Sequence, residues 1–178
     1  MKDLHRIFIV LFMLSGGVVM PDKAEAKKVY KKVVVKHKRY KKYPAKGTHV
    51  LYMNSARRVK HNKGIFYHAN GIYYKKSTCG YKIVAAPIGV RLKVLPAKHV
   101  RIVLNGRHYF YHYGTYYISV GKKYEIVTPP VGIQVDDLPN GYKLVTKKGK
   151  TFYVVDKVFY ERIVLKNGSR VFQVVEEV

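Results

Sequence analysis

Pro87-Ile88-Gly89-Val90 recurs 43 residues later as Pro130-Val131-Gly132-Ile133. The same spacing relates two further dipeptides to their copies: Tyr73-Tyr74 to Tyr116-Tyr117, and Leu95-Pro96 to Leu138-Pro139. Self-similarity at a fixed period is typical of repeat proteins, and it predicts three tandem units at 44–86, 87–129 and 130–178. A unit of this size buries too little apolar surface to fold alone, so we expect the three units to share a core.

The middle unit predicts five short strands, because each of its apolar runs is β-branched or aromatic and ends at turn residues. The predicted strands are Arg91–Leu95, Val100–Leu104, Arg107–His112, Thr115–Val120 and Tyr124–Thr128. This pattern predicts an all-β fold of antiparallel meanders with very little helix. Tandem SH3-like small barrels and one continuous twisted sheet both suit it, whereas three units fall below the usual four to eight blades of a propeller.

Aromatic residues recur on the third and fourth predicted strands of every unit. The side chains that form this aromatic ladder are Tyr67, Tyr74, Phe110, Tyr117, Tyr153 and Tyr160. Both faces of each strand carry a ring, so one face is expected to be core. The other face either packs against a neighbouring unit or is an exposed row that stacks on sugars or bases.

The N-terminus has the pattern of a cleavable signal peptide at residues 1–26. Lys2 and Arg6 precede an apolar stretch, and the small-residue pattern Ala24-Glu25-Ala26 follows it, which predicts cleavage after Ala26 and a periplasmic or secreted protein. The apolar stretch is shorter than the roughly 20 residues that span a bilayer. Cys79 is the single cysteine, so no intrachain disulfide can form.

Positive charge dominates the first two-thirds of the predicted mature chain. Residues 27–124 contain 24 Lys and Arg and no Asp or Glu. Residues 27–43 form a basic tail that is either disordered or an amphipathic segment folding on an anionic membrane surface. Counterion release predicts affinity for dense polyanions. The candidate polyanion-binding residues are Lys31, Lys32, Lys38, Arg39, Lys41, Lys42, Arg57 and Arg58.

The repeats resemble a family of exported bacterial proteins of unknown function. The matching motifs are a Tyr-rich hairpin with a Gly turn, a Gly-Tyr strand ending in Pro, and a Pro-x-Gly segment leading to Leu-Pro. They lie at Phe66 to Tyr74, Gly80 to Pro87 and Ile88 to Pro96, with copies at Tyr109 to Tyr117, Tyr124 to Pro130 and Val131 to Pro139. The chain departs from the pattern at Tyr52-Met53 and at Asp156-Lys157. The resemblance implies export and repeat construction, and it transfers no catalytic residue.

Catalytic and metal chemistry find little support in the sequence. Asp136-Asp137 is an adjacent carboxylate pair of the predicted mature chain, and neighbouring side chains of a strand point to opposite faces. His108 and His112 would lie about 13 Å apart on a strand, too far to share a metal. We therefore expect no catalytic residue, metal site, cofactor or small-molecule substrate.

These observations favour a noncatalytic envelope protein that binds an anionic surface polymer: lipopolysaccharide, acidic polysaccharide or extracellular DNA. The alternative is a structural or assembly protein of the envelope whose aromatic hairpins contact other proteins. An enzyme acting on cell-wall polymer is a third, minor hypothesis. In addition, the edge strands of an open meander can pair between chains.

Overall fold

A computed structural model describes residues 40 and 43–177. The predicted signal peptide and most of the basic tail lie outside the described residues, among them Lys31, Lys32, Lys38, Arg39, Lys41 and Lys42. Within the described part the chain is all-β, as predicted. It holds no helix there, and hence none long and apolar enough to cross a membrane.

The first unit is an antiparallel sheet of five strands in the spatial order β1-β5-β4-β3-β2. Its strands are β1 His49–Val50, β2 Arg57–His61, β3 Gly64–Ala69, β4 Ile72–Ser77 and β5 Gly80–Val84. Strands β2 to β5 form a meander of hairpins, and the short strand β1 pairs with β5. The edges of the sheet are therefore β1 and β2.

The second and third units repeat this topology. The second sheet has the order β6-β10-β9-β8-β7, and the third has β11-β15-β14-β13-β12. The strands of the second are β6 Arg91–Leu92, β7 Val100–Leu104, β8 Arg107–His112, β9 Thr115–Val120 and β10 Lys123–Val127. Those of the third are β11 Gln134–Val135, β12 Lys143–Lys147, β13 Lys150–Val155, β14 Val158–Val164 and β15 Arg170–Val175.

The sequence repeat is thus a repeat of strands. In the middle unit the predicted bounds of β7, β8 and β9 match the observed ones, whereas β6 is shorter than predicted and β10 begins and ends one residue earlier. The third unit departs at its last hairpin, where the two strands lengthen and the turn 165–169 separates them. The three sheets are separate, rather than one continuous sheet, and none closes into a barrel.

The hairpin turn between the third and fourth strands of each unit has the same conformation. Both central residues have positive φ: Asn70 and Gly71 at 50° and 80°, Tyr113 and Gly114 at 48° and 79°, and Asp156 and Lys157 at 49° and 71°. Positive φ at both central positions defines the type I′ turn, whose twist matches that of the flanking strands. The third unit therefore keeps the turn geometry although its sequence lacks the Gly.

The three units share a core. One cluster of buried side chains draws on all three sheets, with Tyr74 and Ile83 from the first, Tyr111 and Tyr116 from the second, and Tyr160 from the third. A second cluster joins the first two sheets, with Phe66 and Tyr73 from the first and Leu92, Tyr117 and Ile126 from the second. Burial at these contacts is the main stabilising term, because the chain has no disulfide.

Two glycine turns fix how neighbouring units approach. A Cβ at Gly71 would lie 2.7 Å from His112 Nε2 and 2.8 Å from Pro96 Cβ, both in the second unit. At the equivalent Gly114 a Cβ would lie 3.1 Å from Pro139 Cγ in the third unit. Gly71 and Pro96 are separated by the same interval as Gly114 and Pro139. This internal spacing recurs because the hairpin turn of one unit contacts the following unit in the same way.

The C-terminal end of the predicted tail is anchored in this core. Tyr40 is buried, and its ring contacts Tyr43, Tyr111 and Tyr113 edge-on at centroid distances of 5.3 to 6.3 Å. The Tyr113 hydroxyl donates a hydrogen bond to the Pro44 carbonyl. The backbone N–H of Lys46 donates to the Asn140 carbonyl at 2.8 Å, so this segment also contacts the third unit.

Candidate aromatic and basic surface

The predicted aromatic ladder divides into two sets by depth. The members on the fourth strand of each unit are buried: Tyr74 is 8% exposed, and Tyr117 and Tyr160 are each 0% exposed. The members on the third strand are half-buried: Tyr67, Phe110 and Tyr153. The fourth-strand rings pack inside the molecule, and the third-strand rings are available in part to a ligand.

The buried phenols are held in the neutral form. Burial raises the pKa of Tyr160 and of Tyr117 well above that of a free phenol. The hydroxyls of Tyr116 and Tyr160 lie 3.1 Å apart and form a hydrogen bond within the core. The Tyr116 and Tyr160 hydroxyls satisfy each other in an apolar environment, and such an arrangement stabilises the fold without offering an acid or base to solvent.

Each sheet carries one edge-to-face aromatic pair that joins its third and fifth strands. The ring centroids are 5.3 Å apart for Tyr67 and Tyr81, 5.4 Å for Phe110 and Tyr124, and 5.0 Å for Tyr153 and Phe172. The interplanar angles are 75°, 83° and 70°. All six rings are half-buried. We call these the aromatic pairs, and they occupy equivalent places in the three units.

In the first sheet a cation lies directly across from each ring of the pair. Arg58 on β2 pairs in register with Tyr67, and Lys76 on β4 pairs with Tyr81. Residues opposite each other in a sheet project from the same face with Cβ atoms roughly 5 Å apart. Lys60, two residues beyond Arg58, shares that face by strand alternation. This face therefore combines two half-buried aromatic rings with three exposed cations.

The other two sheets keep one of these cations each. In the second, Arg101 is in register with Phe110, and its Nε–H donates to His108 Nδ1 at 3.0 Å. In the third, Arg162 is in register with Phe172, and its guanidinium lies 5.9 Å from the Tyr153 ring centroid, within cation–π range. The first sheet thus carries the fullest version of a repeated arrangement.

Arg57, the neighbour of Arg58, belongs to the opposite face. It is exposed and in register with His68. Burial, and secondarily the positive charge of Arg57, lower the pKa of His68. Of the predicted polyanion-binding residues, the structure describes these two arginines, and it places Arg58 with the aromatic pair and Arg57 on the other side of the sheet.

Ion pairs neutralise little of the positive charge among residues 43–177. Residues 43–124 hold 15 Lys and Arg and no carboxylate. Within the described part of the chain, the ion pairs are Lys46–Asp156 at 2.7 Å, Arg91–Glu125 at 2.6 Å and Lys150–Glu161 at 4.0 Å. Arg58, Lys60 and Lys76 take part in none of these, so their charge acts on whatever approaches the face.

Sequence reasoning missed the fifth-strand member of each aromatic pair. Tyr81 and Tyr124 are 43 residues apart, and this repeat spacing could have identified them as equivalent. Phe172 lies 48 residues after Tyr124, because the longer last hairpin of the third unit shifts it out of register with the repeat. Its equivalence follows from its pairing with Arg162, which no local pattern reveals.

Other chemistry is sparse in the described residues. They contain no group of three His, Cys, Asp or Glu side chains placed to hold a metal ion, and Cys79 is exposed. Burial, followed by the charge of Asp137, raises the pKa of Asp136 to about 6. The Asp137 carboxylate accepts a hydrogen bond from the N–H of Leu138 at 3.0 Å, which is a local turn contact.

The chain belongs to a family of unknown function, DUF6515, whose model matches residues 19–178. Comparison with curated proteins gave no match, and comparison with solved structures gave none either.

Proposed function

We propose that this member of DUF6515 is an exported, noncatalytic envelope protein that binds an anionic surface polymer through its basic tail and the aromatic and basic face of its repeats. Lipopolysaccharide, acidic polysaccharide and extracellular DNA are the candidate polymers. The observation that carries the proposal is the face formed by Tyr67 and Tyr81 with Arg58 and Lys76 in register. Its partial copies in the other sheets offer further contacts along the same polymer.

The chemistry of this face suits a polymer with both charge and flat surfaces. Cations attract phosphate, carboxylate or sulfate groups, and release of counterions makes that attraction strong and dependent on salt. Aromatic rings stack on sugars or bases and contribute about 1 to 3 kcal/mol for each stacked base. The combination predicts binding that weakens with salt but keeps a salt-independent part.

Repetition adds to this by multivalency. A polymer that contacts one unit meets the next unit at a high effective concentration, so weak contacts combine into useful avidity. Three related faces on one chain suit a long, repetitive ligand, although the number of cations differs from face to face.

The test is binding of the mature chain to lipopolysaccharide, DNA, a sulfated polysaccharide and a neutral glycan over a salt series. The variant Arg58→Ala/Lys60→Ala/Lys76→Ala removes the cations of the first face. The control Arg107→Ala/Lys122→Ala/Lys166→Ala removes equal charge from exposed residues of the second and third units. We expect the first variant to reduce affinity for the preferred polymer by about tenfold or more and the control to reduce it less.

Two outcomes would contradict the proposal. One is no binding to any polyanion at about 0.1 M salt, where the Debye length of roughly 10 Å still allows exposed charges to act. The other is equal loss in both variants with no preference among the polyanions, which would reduce the charge to a generic adhesive. Deletion of residues 27–39 in both backgrounds, which keeps the buried Tyr40, separates the contribution of the tail from that of the face.

A structural or assembly role is the second candidate, and an exposed apolar group on the third sheet favours it. Tyr142, Leu144 and Val164 are 43%, 61% and 67% exposed, and Leu144 lies on the edge strand β12. Pairing of this edge between chains would cover Leu144, and contact of this sheet with another protein would bury Tyr142 and Val164. Sedimentation of the chain lacking residues 27–39, which keeps the buried Tyr40, tests this. An assembly role predicts unchanged oligomers, whereas polymer binding predicts a monomer with weakened binding.

A further inference from the structure

A groove of about 640 Å³ runs between the three units, outside the aromatic and basic surface. Its walls come from the linker that follows β5, the linker that follows β10 and the β13–β14 turn of the third unit. Its volume lies within the range of about 300 to 1,000 Å³ that is typical of small-molecule sites. Because all three units contribute to its walls, the groove forms only when the units pack together.

The lining of the groove is mainly apolar. Phe66, Pro87, Ile88, Ile126, Pro129 and Val158 contribute aliphatic or aromatic surface to it, and Ala85 and Ala86 leave room along one wall. Such a surface favours an alkyl chain, because burying each methylene group stabilises a complex by roughly 0.8 kcal/mol.

Cations stand at the walls of this apolar groove. Lys75 is half-buried; its Nζ donates to the Lys63 carbonyl at 2.9 Å and lies 4.6 Å from the Phe66 ring centroid. Lys63 and Lys157 also line the groove. The carboxylate there, Asp156, is neutralised by Lys46 at 2.7 Å. Lys75 takes part in none of the ion pairs among the described residues, so the groove carries net positive charge.

Charge complementarity identifies the class of occupant. The basic tail of the same chain and the basic faces of a second copy would both meet repulsion from these lysines. A flat bilayer cannot enter a concave groove between units. We propose that the groove binds a soluble single-chain amphipathic anion, a medium- or long-chain alkyl carboxylate, with its chain along the apolar walls and its head near Lys75. This site does not rest on the polymer-binding proposal.

Calorimetric titration with decanoate below its micellar concentration tests the site, with butyrate and decanol as probes that keep only the head or only the chain. We expect decanoate to bind at least about tenfold more tightly than butyrate, because the longer chain buries more methylene groups. Decanol should bind at least about tenfold more weakly than decanoate, because it lacks the negative charge that Lys75 attracts. The amide NMR signals of Ala85, Ala86 and Val127 should shift with decanoate.

Variants keep the proposal falsifiable. Ala85→Trp should fill the groove and abolish decanoate binding, and Lys75→Gln should weaken it by about tenfold. Lys166→Gln makes the same charge change in the exposed turn 165–169, outside the groove, and should leave decanoate affinity unchanged. The proposal is overturned if butyrate binds as well as decanoate, if the Lys166 and Lys75 variants lose affinity equally, or if the protein takes up anionic vesicles but no monomeric decanoate. If Ala85→Trp does not fold, the lysine variants and the NMR shifts decide.

Discussion

Single residues in the hairpin turns show how one backbone geometry is kept by different sequences. Asn70-Gly71 and Tyr113-Gly114 place Gly at the second central position, whereas Asp156-Lys157 places a Lys there at a φ of 71°. Residues with a Cβ, other than Asn and Asp, have a steric cost of roughly 1 to 2 kcal/mol at positive φ. The turn type of the third unit is therefore imposed by the flanking strands and by contacts such as Lys46–Asp156.

Lys157→Gly should stabilise the protein by about 1 kcal/mol, because Gly adopts positive φ without the Cβ clash. Urea unfolding followed by circular dichroism measures the change. Lys150→Gly, in strand β13, is the matched control and should destabilise. A lower free energy of unfolding for the turn variant would show that Lys157 makes a compensating contact.

Gly71→Ala and Gly106→Ala separate backbone strain from crowding. Both glycines have φ near +75°, but a Cβ at Gly106 meets no atom within 4 Å, whereas one at Gly71 collides with His112 and Pro96. We expect a loss of about 1 kcal/mol at Gly106 and about 3 kcal/mol at Gly71, since overpacking adds 1 to 3 kcal/mol. Equal losses in urea unfolding would contradict the close approach of the first and second units.

Asp136 should make stability depend on pH. Its pKa is raised to about 6 in the folded protein, chiefly by burial, against an ordinary value of 3.8. A raised folded pKa means that the protonated acid is favoured, so this contribution is fully present below pH 3.8 and is lost as pH rises through about 6. Urea unfolding of Asp136→Asn at a series of pH values should lack this component. An identical pH profile for the wild type and the variant would rule it out.

At the scale of elements, the strands were predictable and their depth was not. Three strands of the middle unit match their predicted bounds because Asn-Gly and Tyr-Gly dipeptides mark the hairpins. The burial of Tyr117 and the partial exposure of Phe110 could not be foreseen, since the two are in register on one face of the sheet and alternation does not say which strand meets another unit. Tyr81 on β5 escaped notice as the ring partner of Tyr67, because the pairing of β5 with β4 places it two strands away from Tyr67.

The aromatic pair of the first sheet should be an energetic unit. A double-mutant cycle with Tyr67→Ala and Tyr81→Ala should give a coupling energy of about 0.5 to 1.5 kcal/mol, as expected for edge-to-face rings. A second cycle that pairs Tyr67→Ala with Lys82→Ala provides the control, because Lys82 is next to Tyr81 but projects from the other face. Similar coupling in the two cycles would mean that the ring contact contributes nothing of its own.

At the scale of the whole molecule, the repeat predicted a shared core but not its form. The 43-residue period implies three similar units, and each is too small to bury a core alone. Whether such units close into barrels, merge into one sheet or remain open depends on contacts between residues far apart in sequence, such as Tyr116 with Tyr160. The observed answer is three open sheets that bury their aromatic rings against one another.

The open sheets leave the first face with its rings half-buried and its cations unpaired by carboxylates, and this combination is the centre of the functional proposal. Charge alone could arise from solubility requirements, and rings alone from packing. Their alignment in register at Arg58–Tyr67 and Lys76–Tyr81 is what points to a ligand that uses both.

The most direct test is therefore the contribution of the rings at fixed charge. Affinity of the wild type and of Tyr67→Leu/Tyr81→Leu for the preferred polymer is measured over a salt series, with thermal unfolding to confirm that the variant is folded. We predict a loss of about tenfold at every salt concentration with an unchanged salt slope, because the change removes stacking and leaves every cation in place. Equal affinity of the two proteins throughout the series would contradict the account and leave the aromatic pairs as elements of the core.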